Sequence, residues 1–382
     1  MPPDLADLPL LDCHIHFAHP DYGQGLLAIL DEARISRFNL VCTPHRSRLS
    51  LVPDALYLKS QYPERVYVFG GLDISPLFFA RDSCGALFAQ DAERLLAMGC
   101  DGVKMIEGKP DLRKTLPIPD FDSPAYEPYW SLMEQKQTPI LFHVNDPEEF
   151  WDARRVPDWA RRQGWFYGDG TYINNEAQYE QVLRVLERFP GLRVVFAHFF
   201  FMSAQLPRLG ALLERFPGVH VDLTPGIEMY HNLGRDPSAA REFFVKFQDR
   251  ILFGTDIGAK AMLSTPELGI EPHESSLRIE LVRRFLELEG EFTLDVVDGF
   301  LFGRFSGPFQ GLGLPRPVLE KICSRNFEAL AGSRPAPLDP DRIVQECERL
   351  TGVIGVMGSA QPDVPGDVSV ATRVRDHFAR ST

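Results

Sequence analysis

The 382-residue chain predicts an α/β fold, a closed (β/α)8 TIM barrel carrying a C-terminal helical extension, and three observations predict it. Short apolar runs alternate with amphipathic, helix-length segments eight times between residues 10 and 255, and another helical segment follows the last run. Residue types able to bind metal recur at the C-terminal ends of these runs. The eighth run delivers Asp256 to the same end at which the first delivers His14 and His16, which ring closure explains by placing strands eight and one side by side. A doubly wound open sheet is the alternative that the alternation allows.

The first strand covers residues 10–17 (LLDCHIHF). Its two histidines, at i and i+2, point to one face of a strand. Asp12 and His19 flank them as partners for the imidazoles. Residues 22–36 carry Leu26, Leu27, Ile29, Leu30 and Ala33 at helical spacing, and residues 38–44 (FNLVCTP) form the second strand, with His45 and Arg46 just beyond it. A short helix over 54–61 precedes the third strand, 66–74, which ends near Asp73. The helix over 88–98 stops at Gly99. The fourth strand, 101–106 (DGVKMI), is followed by a loop over 107–123, a helix over 126–136 and the fifth strand, 139–144 (PILFHV).

Residues 145–174 are long, irregular and dense in Trp, Tyr, Gly and Arg, the composition of a lid or binding loop or of a surface insertion with a short helix that meets a partner chain. A helix over 176–189, the sixth strand over 192–199 (LRVVFAHF), a helix over 205–216 and the seventh strand over 219–224 (VHVDLT) come next. A turn then presents Glu228 and Tyr230, and a helix over 238–247 leads to the eighth strand, 251–255. With the helix over 275–289 these make a barrel of residues 1–290. Residues 291–382 read as an extension packing on it: an apolar, Gly- and Pro-rich stretch to 317, a helix over 318–330, the linker SRPAPLDP, a short helix near 342–350 and a polar tail.

Composition excludes several classes. With 44% hydrophobic residues the chain can bury a large core, and its net charge of -13 argues against nucleic acid or an anionic membrane as partner. No run of about eighteen apolar residues indicates a membrane span, and the N-terminus lacks the basic-then-apolar pattern of a signal peptide. The six cysteines show no close pairing and read as reduced thiols of a cytoplasmic protein.

In a parallel barrel all strand C-termini open on one face, where active sites are built. His14, His16, Lys104, His143, His198 and Asp256 lie at or near those ends, so four imidazoles, an amine and a carboxylate converge. That donor set suits zinc, manganese or iron. The ion's role is to acidify a water and polarise a carbonyl. Asp256 then takes the proton from that water and passes it to the leaving group, while His198 either ligates or holds the developing oxyanion.

These residues also carry a resemblance. The chain resembles the amidohydrolase superfamily, with HxH on strand one (His14, His16), Lys104 in GVKM, His143 in LFHV, His198 in FAHFF and Asp256 in FGTD. The likeness runs over roughly residues 10–260, and the helix around Arg325, Asn326 and Phe327 resembles the family's closing segment. The order of motifs is most similar to the branch containing non-oxidative decarboxylases and lactonases. The resemblance implies one or two divalent ions: with two, a carboxylated Lys104 bridges them; with one, His14, His16, His143 and Asp256 are the ligands and His198 acts on substrate.

Substrate-facing candidates just beyond strand ends are His45, Arg46, Asp73, Glu107, Lys109, Arg113, Glu228 and Tyr230, with Trp165, Tyr167 and Tyr172 available to cap a ring. Arg46, Lys109 and Arg113 suit an acidic or phosphorylated substrate. The leading expectation is hydrolysis of an amide, ester or lactone in a small molecule. Non-oxidative decarboxylation of an aromatic or unsaturated acid is the alternative, and a barrel retained only for binding is the third. A homodimer is compatible with the aromatic insertion and with the family.

Overall fold

The computed structural model describes residues 7–262, 265–296, 301, 305–360 and 366–380. Parts of the expected Gly- and Pro-rich stretch and of the C-terminal tail, like the first six residues, lie outside these.

Eight parallel strands follow one another around the sheet in chain order: β1 (Leu10–His16), β2 (Ile35–Val41), β3 (Val66–Gly71), β4 (Gly102–Gly108), β5 (Ile140–Val144), β6 (Val194–Phe196), β7 (Val219–Asp222) and β8 (Ile251–Leu252). Every described residue of β3, β4 and β5 is buried, as expected of strands covered on both faces. Helices α1 (Gly23–Glu32), α2 (Val52–Gln61), α3 (Cys84–Met98), α4 (Glu127–Lys136), α5 (Asn175–Arg188), α6 (Leu206–Arg215), α7 (Pro237–Lys246) and α8 (Pro272–Glu287) form the outer layer. Their signals are local. Asn174 accepts the N–H of Glu176 to start α5. Gly99 ends α3 at φ +100, where a Cβ would also strike the carbonyl oxygen of Pro337 at 2.4 Å.

The ring closes inside the eighth strand. Ile251 and Leu252 pair with Val221 and Asp222 of β7, then the chain turns through Phe253–Asp256 and pairs as β9 (Ile257–Gly258) with Ile15 and His16 of β1. Cys13 N donates to Phe253 O (2.9 Å) and Asp256 N to His14 O (2.9 Å), so backbone bonds bridge the junction. The expected continuous strand over 251–255 is therefore two short ones. Asp12 makes the break, because its carboxylate accepts both the N–H and the hydroxyl of Thr255 and pulls the chain out of the ladder.

The core has two compartments. Most apolar side chains lie between sheet and helices. Leu11, Cys13, Val41, Tyr67, Phe69, Leu141, Val195, Ala197 and Leu252 fill the barrel interior, and Phe327 and Leu330 plug it from below. These last two come from α9 (Asn326–Ala331), the final segment of a helical stretch beginning at Arg316, as the sequence predicts to within two residues.

Several further expectations are corrected. The short helix near 342–350 is α10 (Pro340–Ala360), because Ile343, Cys347, Leu350 and Ile354 keep one apolar face past Gly352. The polar tail contains α11 (Ser369–Phe378), which buries Val370, Ala371, Val374 and Phe378. The sixth strand ends at Phe196, not at residue 199, because His198, Phe199, Phe200 and Phe201 turn into the left-handed region. The loops over 107–123 and 145–174 hold the short helices Pro110–Thr115 and Asp158–Arg162, and Glu228 and Tyr230 sit on helix Ile227–Gly234 rather than in a turn. No helix among the described residues is long and apolar enough to cross a membrane.

Candidate metal centre

The site starts with an irregularity in β1. Leu11 and Cys13 face the barrel interior while Ile15 belongs to the outer layer, and the register against β2 shifts between Asp12 and Ile15. A bulge there switches the alternation, so that His14 and His16 also turn inward, above the apolar plug. Asp12 fixes the bulge by accepting the N–H of His14 at 3.0 Å, the same carboxylate that holds Thr255.

His14, His16 and Asp256 come together: one donor atom from each lies within 4.8 Å of the others. Oδ1 of Asp256 stands 3.1 Å from Nε2 of His16 and 4.0 Å from Nε2 of His14. Lys104, from β4, puts its Nζ 3.4 Å from His14 Nε2, and burial holds its pKa down to about 8. The His198 ring is 5.8 Å from that of His14 and 4.9 Å from that of His143. Burial keeps both imidazoles below their ordinary pKa and hence neutral, the form with a lone pair to offer.

All six residues expected at the strand ends are thus on one face, but three of them supply the tight donor group. His143 is turned differently. Its Nε2 is buried without a hydrogen bond, 3.5 Å from a carboxylate oxygen of Asp146.

Asp222, not among the expected site residues, organises the centre. Its Oδ2 is 2.8 Å from Nδ1 of His14, which favours the Nδ1–H tautomer and makes Nε2 the lone-pair donor, 3.4 Å from Lys104 Nζ and 4.0 Å from Asp256 Oδ1. Its Oδ1 accepts the N–H of His198 (2.8 Å) and the N–H and hydroxyl of Thr224. Thr224 in turn holds Nδ1 of His198 at 3.1 Å from its hydroxyl and 3.3 Å from its carbonyl. The signal was present in VHVDLT, an acid at the end of a strand. Arg278 of α8 was also missed: its Nη1 lies 3.1 Å from Oδ2 of Asp256. Nothing in the local sequence marks it.

His198 reaches this position through backbone strain. Four consecutive residues from His198 to Phe201 have φ between +52 and +57, a conformation costing about 1–2 kcal/mol per L-residue. Ring packing offsets it: Phe200 stacks on Phe196 at 3.9 Å, Phe199 on Phe244 at 5.7 Å and Phe201 on His198 at 5.1 Å. Strain held in place by packing beside a buried imidazole is typical of a functional turn.

The outer candidates divide. Lys109 stays near the centre, its Nζ 3.2 Å from Asp146 and 5.0 Å above the Trp165 ring. Glu228 lines a small cleft with Glu149, Phe201, Ser203 and Asn232, and burial, with Glu149 adding repulsion, raises its pKa to about 8. His45 sits on the hairpin Pro44–His45/Leu49–Ser50, accepting the N–H groups of Ser47 and Arg48 at 3.2 Å, with Arg46 exposed beside it. Glu107 accepts the N–H of Ile106 (2.9 Å) and is buried, which raises its pKa to about 7. Arg113 pairs with Asp120 at 3.1 Å and covers Phe121, Asp73 pairs with Arg349 of α10, and the buried Tyr230 donates its hydroxyl to Leu223 O at 2.9 Å. Tyr167, with Phe150, Val156 and Ala160, forms a small core inside the 145–174 segment, against which Trp165 and Tyr172 pack.

Comparison with known proteins decides the family. The profile described as Amidohydrolase matches residues 11–330. The chain belongs to the amidohydrolase family. A Staphylococcus aureus protein of the amidohydrolase type shares 15% identity over 85% of this chain and 99% of its own, with a TM-score of 0.50. The apo IDCase of Metarhizium anisopliae shares 15% identity over 86% and 98% with a TM-score of 0.49, and amidohydrolase 2 of Bifidobacterium longum subsp. infantis 12% over 87% and 100% with a TM-score of 0.43. At such identities the likeness to the first is one of fold. Among curated proteins none matches the chain. Membership of this family supports an enzyme with a small-molecule substrate, from a family that typically binds divalent metal.

Proposed function

We propose that the protein is a metal-dependent hydrolase that cleaves an amide, ester or lactone bond of a small molecule in the cytoplasm. The observation that carries this reading is the convergence of His14, His16 and Asp256 on one point, with His14 held in a single tautomer by Asp222. The donors fit a divalent ion: two imidazoles and a carboxylate, with Asp222 already hydrogen-bonded behind His14. Zinc is the first choice, with manganese or iron also suited to this donor chemistry. His143 completes the set for one ion, and a carboxylated Lys104 for two.

A divalent cation bound there supplies Lewis acidity, lowering the pKa of a water and polarising a carbonyl. The chain's own groups move the protons. The Nδ1–H of His198 donates to the Thr224 carbonyl, which leaves Nε2 as an acceptor that can relay a proton to a leaving group. Asp256, whose carboxylate lies against His16, is the other acceptor. Lys109, Glu228, His45 and Arg46 are assigned as substrate contacts; Glu107, Arg113 and Tyr230, expected among them, are assigned to supporting roles because their polar atoms are engaged by Ile106, Asp120 and Leu223. Residues 1–290 make the catalytic barrel and 291–382 an extension, and a homodimer is the proposed assembly.

One observation favours a second reading, non-oxidative decarboxylation of an aromatic or unsaturated acid. Arg278 occupies Oδ2 of Asp256 and so opposes its use as a proton acceptor. Decarboxylation needs protonation at carbon rather than acceptance of a proton from water. Metal-loaded protein assayed against lactones, esters, amides and hydroxybenzoates separates the two. Hydrolysis that is lost on chelation and regained with zinc is expected; carbon dioxide released from a hydroxybenzoate, with lactones, esters and amides intact, would establish the second reading instead.

A further inference from the structure

We infer that Arg278 is a positioning residue that leaves Asp256 a single carboxylate oxygen, Oδ1, for a cation at the His14–His16 pair. The inference rests on the metal-centre reading above and extends it to a residue in α8. Arg278 is only 4% exposed. Its Nη1 lies 3.1 Å from Oδ2 and 3.2 Å from the main-chain carbonyl oxygen of Asp256, so one nitrogen secures both the side chain and the peptide that carries it. On its other side Nε and Nη2 lie 3.0 and 2.7 Å from Oε1 of Glu274, one turn earlier in the helix. A guanidinium gripped on both edges is fixed in plane, which a flexible ammonium would not be.

The arrangement divides the carboxylate. Oδ1 faces His16 at 3.1 Å, and Oδ2 faces the guanidinium at 3.1 Å. Asp256 itself sits at φ +55, a conformation a non-glycine residue keeps only when its surroundings hold it there. The bonds of Arg278 to the carbonyl and of Asp256 N to His14 O provide that hold. A carboxylate restricted to one oxygen fills one coordination position instead of two. Whatever other groups join His14 and His16, a one-oxygen carboxylate leaves one more position on the ion for water or substrate than a two-oxygen carboxylate would.

Cobalt(II) titrated into metal-free, full-length protein tests this without an activity assay. Visible absorption of cobalt(II) falls as its coordination number rises, and elemental analysis gives the stoichiometry. Wild-type protein is expected to show the strong bands of a low-coordinate ion. In Arg278→Gln the second oxygen joins the ion, the bands weaken several-fold, and affinity falls about 10- to 100-fold, the range for loss of an outer partner. Removing one member of a partly buried pair takes from Glu274 its charged partner and can impair folding. The paired replacement of Arg278 and Glu274 by Met removes both charges and is expected to give the same spectral change. Variants whose cobalt spectrum equals that of wild type would overturn the inference while leaving the metal centre standing. Failure of the wild-type protein to bind cobalt would overturn both.

Discussion

Asp222 shows how much of a metal centre lies one bond behind the ligands. It bonds the ring of His14, the backbone of His198 and both donors of Thr224 from one buried carboxylate, so the orientations of two imidazoles depend on a single anion. Asp222→Asn keeps the shape and removes the charge. Zinc affinity, measured by titration of the metal-free protein, is expected to fall about 10- to 100-fold with little change in the fold; an unchanged affinity would mean that the β1 geometry alone orients His14. Tyr230 gives the opposite lesson. It follows a strand end, as a site residue should, yet its hydroxyl is taken by Leu223 O and its ring packs on Phe285. Sequence position places a residue near the mouth of the barrel, and only its neighbours decide whether it faces in.

Among the elements, the 145–174 segment is where the sequence was least specific and the structure most informative. It closes on its own small core and is fastened to the site at Asp146, which accepts from Tyr167 Oη at 2.7 Å and from Lys109 Nζ at 3.2 Å, and lies 3.5 Å from His143. A hydrogen bond to a charged acceptor contributes about 1.5–3 kcal/mol. Tyr167→Phe removes it without changing the ring's bulk. Hydrogen exchange read by mass spectrometry is expected to quicken across residues 147–174 while the barrel strands keep their protection; equal exchange in both proteins would show that the latch does not hold the segment. The sixth strand ends earlier than its sequence predicts for a related reason. FAHFF has every mark of a buried strand, and the left-handed turn that ends it is held by rings from α5 and α7 that no local pattern reveals.

For the molecule as a whole, the centre exists because the ring closes. His14 and Asp256 are far apart in sequence and adjacent in space only through the bonds between β1 and residues 253–258. The lower end of the same ring is filled by Phe327, whose ring lies 5.1 Å from that of Tyr67 and 5.7 Å from that of Phe69. Phe327→Ala is expected to cost about 3–5 kcal/mol, read as a lower urea midpoint with an unchanged slope. A loss below about 1 kcal/mol would mean that α9 lies against the barrel without supporting it. The C-terminal helices also reach back, through Arg349 on Asp73 and His377 against Tyr57. That contact draws Asp73, expected near substrate, to the extension instead.

The sequence by itself determined the alternation of strands and helices and the face on which His14, His16, Lys104, His143, His198 and Asp256 gather, because both follow from periodicity and strand-end position, which are local; the family was legible in the short motifs around those residues. Tertiary structure alone decided which of them meet. The bulge at Cys13–His14, the support from Asp222, the clamp of Arg278 on Asp256 and the turning of His143 toward Asp146 are contacts between segments distant in the chain, and their energies come from packing and hydrogen bonding that no single stretch contains.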